Sequence, residues 1–187
     1  MAEKRKNWNG LISGFSASDL VFLDESGCNT DMTRRYAYSF GGNRAVDSAP
    51  LSKPKNTTIL SSIQLNGTLH YTTFSGGTTV ERFKQYLETD LLPHLNGDSV
   101  LVMDNMKSHH AKAVKELLDS SGVRYIYLPP YSPDLNPIEK LWSKVKALLR
   151  KFKARTLDAL PNAIQNAFHS VTVSDCSGWF RFCGYAL

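Results

Sequence analysis

Two short runs in this chain are apolar at every position. Leu20-Val21-Phe22-Leu23 and Val100-Leu101-Val102-Met103 lack alternation, as expected of strands covered on both faces. Thr57 to Leu65 is β-branched and apolar, Asn66-Gly67 is a two-residue hairpin signal, and Leu69 to Phe74 returns. Tyr36, Tyr38 and Phe40 alternate ahead of Gly41-Gly42-Asn43 and read as a further extended segment. After Gly76-Gly77 the period changes to that of a helix. Val80, Phe83, Tyr86, Leu87 and Leu91 predict one from Thr79 to Leu95, stopped by Asn96-Gly97. Ala111 to Leu118 reads as a helix ended by Gly122, and Arg124 to Leu128 as a strand. Ile138, Leu141, Trp142, Val145, Leu148, Leu149 and Phe152 form one stripe on a helix over about 137–153. Leu157, Leu160, Ile164 and Phe168 predict another helix, and a short piece ends the chain.

This order predicts an α/β fold, a mixed sheet with helices on its faces. The hairpin strands should be antiparallel. The strands near 20, 99 and 124, joined through helices, should be parallel. Residues 1–18, with Trp8, Leu11, Ile12 and Phe15 at helical spacing, form a lead-in to one domain over 19–187. A chain of 187 residues with 42% hydrophobic content is long enough for one core.

Carboxylates then stand out by position. Asp24 and Asp104 each follow an apolar run, and Glu139 lies at a helix start after Asn136-Pro137. Ligands in such sheets gather at the carboxyl ends of parallel strands. Two strand-end acids and one helix-start acid can hold two hard divalent cations, the arrangement that cuts and joins phosphodiesters. Each acid also has a purely structural reading. Aspartate favours turns, and Glu139 with Asn136 as N-cap occupies the capping-box position. Glu25 rivals Asp24, and Asp134 is an alternative third ligand.

The net charge is +5, and it is local. Lys140, Lys144, Lys146, Arg150, Lys151, Lys153 and Arg155 place seven cations and no acid in one segment directly after Glu139. That suits a polyanionic partner. Cys28, Cys176 and Cys183 form no zinc-type spacing, and an odd count argues for reduced thiols in a cytosolic compartment. No signal-peptide core follows the basic start, and no run is long enough to span a membrane.

Three blocks resemble the bacterial insertion-sequence transposases of the mariner superfamily: Phe22-Leu23-Asp24-Glu25-Ser26-Gly27, Met103-Asp104-Asn105-Met106-Lys107-Ser108-His109, and Leu128-Pro129-Pro130-Tyr131-Ser132-Pro133-Asp134-Leu135-Asn136-Pro137-Ile138-Glu139. Thirty-four residues separate Asp104 from Glu139, as between that superfamily's second and third catalytic acids. The resemblance implies a catalytic domain of ribonuclease H-like fold, a five-stranded mixed sheet with helices on both faces. It implies two Mg²⁺ or Mn²⁺ ions on a catalytic triad of Asp24, Asp104 and Glu139. It places Asn105 and His109 beside the site or on DNA, although a solvated first-turn histidine fits His109 equally. Lys140, Lys144, Lys146, Arg150 and Lys151 would hold phosphates. The implied partners are transposon ends and target DNA, bound by a dimer in the bacterial cytoplasm at the nucleoid. The helix-turn-helix domains usual in the family are absent from the sequence, which implies an upstream-frame DNA-binding subunit or fusion. Two other readings stay open: a non-catalytic DNA-binding remnant, and a ribonuclease H-like nuclease that cuts without joining.

Overall fold

The two all-apolar runs lie side by side at the centre of one sheet. In the computed structural model, which describes residues 2–51 and 54–185, the strands are β1 (Leu20–Cys28), β2 (Thr57–Gln64), β3 (Leu69–Ser75), β4 (Val100–Met103) and β5 (Arg124–Tyr127). Their order is β3-β2-β1-β4-β5. β1–β2 and β2–β3 pair antiparallel, and β1–β4 and β4–β5 parallel, as the connections require.

The helices are α1 (Ala2–Ile12), α2 (Val80–Tyr86), α3 (Lys112–Ser121), α4 (Ile138–Phe152), α5 (Leu160–His169) and α6 (Val173–Phe182). Strand alternation divides the core in two. Leu20, Phe22, Val100 and Val102 face Trp8 of α1 and the buried stripes of α4, α5 and α6. Val21, Leu23, Leu101 and Met103 face Phe83 and Tyr86 of α2 and Val114 and Leu118 of α3. The lead-in therefore packs on the main core. Cys28, Cys176 and Cys183 are buried free thiols, pushed up to about 11 by burial.

Several elements depart from expectation. β1 does not stop at Asp24 but runs on through Cys28, because β2 pairs with it along that whole length. Asp24 is thus a mid-strand residue at the level where β4 ends. The predicted helix over 79–95 is α2, followed by a π turn at Leu87–Leu91 and a 3₁₀ turn at Leu92–His94, where Pro93 has no N–H to donate. Tyr36, Tyr38 and Phe40 lie in no strand. They are 88%, 104% and 97% exposed within the irregular connection between β1 and β2. The short C-terminal piece is a helix, α6, closed by a capping box between Thr172 and Asp175. Among the described residues no helix is long and apolar enough to cross a membrane.

Candidate active site

The register Leu23↔Met103 sets the next residues, Asp24 and Asp104, side by side on adjacent strands. Asp24 continues the even face of β1 and points toward α4, where the Trp142 indole Nε1–H donates to its Oδ2 at 3.2 Å. The backbone N–H of Glu25 donates to its Oδ1 at 2.8 Å. Glu139, in the first turn of α4, lines the same cleft. The cleft encloses about 470 Å³, and its remaining wall is Asn105, Met106, the loop from Leu128 to Pro133, and Asn136.

That loop owes its shape to Pro129, Pro130 and Pro133 and to a left-handed Tyr131 at φ 56°. Asn105 donates from Nδ2 to the Leu128 carbonyl, so it braces the loop as well as lining the cleft. Arg5 of α1 pairs with Asp134. The rival third acid is therefore neutralised outside the cleft. The expected capping box at α4 does not form. Pro137 is the N-cap, no side chain caps the helix, and the Asn136 Oδ1 is buried without a partner. The Glu139 carboxylate takes part in no hydrogen bond or ion pair among the described residues, and this exposed residue lines the cleft.

The electrostatics of the two aspartates differ. Burial, together with the charges of Glu25, Asp104 and Glu139, pushes Asp24 up to about 7 against the Glu25 N–H bond. Burial also pushes Asp104 upward. There the hydrogen bond from His109, the Met106 N–H and the charges of His109 and His110 outweigh it, holding the carboxyl below the ordinary range. Uncompensated negative charge on oxygen-only donors is the chemistry a hard divalent cation matches, so the three acids fit one.

Sequence reasoning placed His109 beside the site, on DNA, or at a solvated helix start. Its side chain has no exposed surface, which overturns the solvated reading and leaves it beside the site. Nδ1 lies 2.8 Å from Asp104 Oδ1 and Nε2 lies 3.2 Å from Glu25 Oε1, and the ring stacks on Phe83 at 4.2 Å. The ligand atoms of Glu25, Asp104 and His109 all fall within 4.8 Å of one another, a tighter group than the expected triad. A carboxylate therefore faces each ring nitrogen of His109. Burial lowers the His109 pKa, and its bonds to Asp104 and Glu25 raise it further, to about 9. His110 is half-buried on Tyr127 at 4.1 Å.

The basic segment also divides. Lys144 is tied to Asp175 at 2.6 Å and to the Ser170 carbonyl at 2.9 Å, so it staples α4 to α6. Lys140 lies over the Phe182 ring at 3.7 Å. Lys146 and Arg150 border a polar hollow with Arg35 and Asp31, and Lys151 is exposed. Trp142 is the site residue that periodicity hid. It belongs to the buried stripe, and nothing in the sequence marks its N–H as aimed at Asp24.

A mixed five-stranded sheet with helices on both faces, and acids where its parallel strands end, is a ribonuclease H-like fold. Residues 19–161 match the model of the DDE superfamily endonucleases, and the chain belongs to that family. Among relatives, it is 29% identical to the Tc1 transposase of Caenorhabditis elegans over 97 residues, which cover 50% of this chain and 36% of that protein. It superposes on the Mos1 mariner paired-end complex with Mn at a TM-score of 0.80 and 22% identity, over 96% of this chain and 58% of the other. With the Mos1 transposase catalytic domain bound to raltegravir and Mg, the TM-score is 0.72 at 18% identity, over 96% of this chain and 87% of that one. The chain thus spans about a third of the curated relative's length.

Proposed function

We propose that this chain is the catalytic domain of a DNA transposase, which cleaves transposon ends and transfers them into target DNA by phosphodiester transesterification. The observation that carries the reading is the convergence of Asp24, Asp104 and Glu139 on one cleft in a member of the DDE endonuclease family. These three carboxylates would hold two Mg²⁺ or Mn²⁺ ions. Such ions supply Lewis acidity at the phosphate and lower the pKa of the attacking water or hydroxyl. Asp24 would hold a cation as its carboxylate, with Oδ2 kept in place by the Trp142 N–H. Pro129, Pro130 and Pro133 restrict the backbone of the cleft wall, which favours a preorganised site. Mos1 is observed as a paired-end complex. By analogy this chain acts as a dimer on DNA, with sequence reading supplied by an upstream DNA-binding subunit or fusion.

Incubating the chain with supercoiled plasmid and a labelled duplex ending in a 3′-hydroxyl tests this. Mg²⁺ or Mn²⁺ should yield nicks and covalent joining of the label, and EDTA should abolish both. Nicks without joining would assign a hydrolytic nuclease, and neither product would favour the non-catalytic DNA-binding reading.

The divided basic segment makes a second expectation specific. Binding to a duplex of arbitrary sequence should weaken steeply with salt. Lys146→Gln, Arg150→Gln and Lys151→Gln should each flatten the slope by about 0.9 for every phosphate the cation had neutralised. Lys144→Gln should leave the slope unchanged and lower the melting temperature. A slope change at Lys144 alone, measured by fluorescence anisotropy, would reverse this assignment.

A further inference from the structure

β1 carries Val21, Leu23 and Glu25 on one face. The first two are buried apolar residues packed against α2 and α3, and the third sets a carboxylate at the edge of the same layer with its side chain 9% exposed. Glu25 Oε1 meets His109 Nε2, and Glu25 Oε2 is buried without a partner. His109 is itself wholly buried on Phe83. An apolar pair could fill the same space without the desolvation penalty of two buried charged groups. Packing alone therefore does not call for Glu25 and His109.

The geometry at Asp104 supplies a reason. Its Oδ1 accepts the Met106 N–H at 3.0 Å and lies 2.8 Å from His109 Nδ1, which also meets the Asp104 carbonyl oxygen at 3.3 Å. The His109 ring is held at Nε2 by Glu25, at Nδ1 by Asp104 and across its face by Phe83. Oδ1 is thereby committed on the protein side. Oδ2 has no partner among the described residues, and Asp104 lines the cleft.

We propose that Glu25 and His109 are positioning residues that make Asp104 a one-oxygen ligand, with Oδ2 presented to a divalent cation and the carboxylate plane locked from behind the sheet. Glu25 acts through His109 and does not itself touch the cation. The proposal rests on Asp104 being a cation ligand. Removing groups that orient a ligating side chain typically weakens metal binding 10–100-fold.

Calorimetric titration of the purified chain with MnCl₂ tests this, without DNA. Wild type should bind Mn²⁺, and Asp104→Asn should lose most of that binding. Glu25→Gln, nearly isosteric, and His109→Gln should each weaken binding about 10–100-fold. The double variant should be no weaker than His109→Gln alone, because Glu25 has no other route to the cation. Melting of the metal-free variants establishes that each is folded; should His109→Gln fail to fold, Glu25→Gln decides by itself. Wild-type Mn²⁺ affinity in a folded Glu25→Gln variant would overturn the proposal. So would a Glu25→Gln loss that persists undiminished in the His109→Gln background, since that effect would travel through the neighbouring Asp24 instead. Absence of Mn²⁺ binding by wild type is a different failure, in which the cation reading of the cleft falls and this proposal falls with it.

Discussion

Asp104→Asn should lower metal-dependent plasmid nicking by at least ~10³-fold while the chain stays folded. Asn keeps the shape of the side chain and removes the charge that holds a cation. Lewis-acid stabilisation at a phosphoryl centre amounts to several kcal/mol, and each ~1.4 kcal/mol is a factor of ten in rate. Asp24→Asn and Glu139→Gln should fall to a similar floor, because groups that act as one unit are not additive. Asp134→Asn is the control. Its carboxylate is already paired with Arg5, so nicking should persist and any effect should appear in stability. Gel quantification of nicked against supercoiled plasmid distinguishes these outcomes. Activity within tenfold of wild type in Asp104→Asn would remove this residue from the triad.

The second large effect should appear without DNA. Asp24 titrates near 7 in the folded chain against an ordinary value of 3.8. Its folded pKa is raised, so the stability tied to its proton is fully present below pH ~4 and is lost as pH rises through ~7. The span corresponds to roughly 4 kcal/mol. In EDTA, Asp24→Asn should escape that loss. Its advantage over wild type should be small at pH 4 and grow to a few kcal/mol at pH 8, less the Trp142 hydrogen bond if the new amide nitrogen faces the indole. Saturating Mn²⁺ should narrow the advantage. The cation binds the ionised wild-type site and adds about 2.7 kcal/mol at a hundredfold excess over its Kd. Urea midpoints from pH 4 to 8, with and without Mn²⁺, are the measurement. A difference between wild type and variant that is flat across this range would mean that Asp24 is already ionised in the metal-free fold.

Much of this site could be read from the sequence because strong periodic signals surround it. The all-apolar runs placed β1 and β4, the stripe from Ile138 onward placed α4, and Asp24, Asp104 and Glu139 were singled out by where the apolar runs end and α4 begins. What escaped was set by tertiary partners. Glu25-Ser26-Gly27-Cys28 has weak strand propensity, and only pairing with β2 makes it part of β1. Tyr36, Tyr38 and Phe40 alternate like a strand but have no neighbour to pair with. His109 and Lys144 are polar residues on amphipathic stretches that look solvated, and their acid partners lie 84 and 31 positions away. Asn136 and Glu139 have the letters of a helix cap, but Pro137 takes the N-cap position between them.

The parallel pairing of Leu20–Leu23 with Val100–Met103 also carries an odd–even rule. One residue inserted within either run would rotate every later side chain to the opposite face. After an insertion in the first run, Asp24 would turn toward His109 and Glu25 toward Trp142. The connection from Asn29 to Asn56 lies outside that paired block and can change length without disturbing its parity. Tolerance to insertion along this chain should therefore follow strand parity rather than distance from the cleft. A single codon added among the eight paired residues should do more harm than a dozen added to the exposed connection.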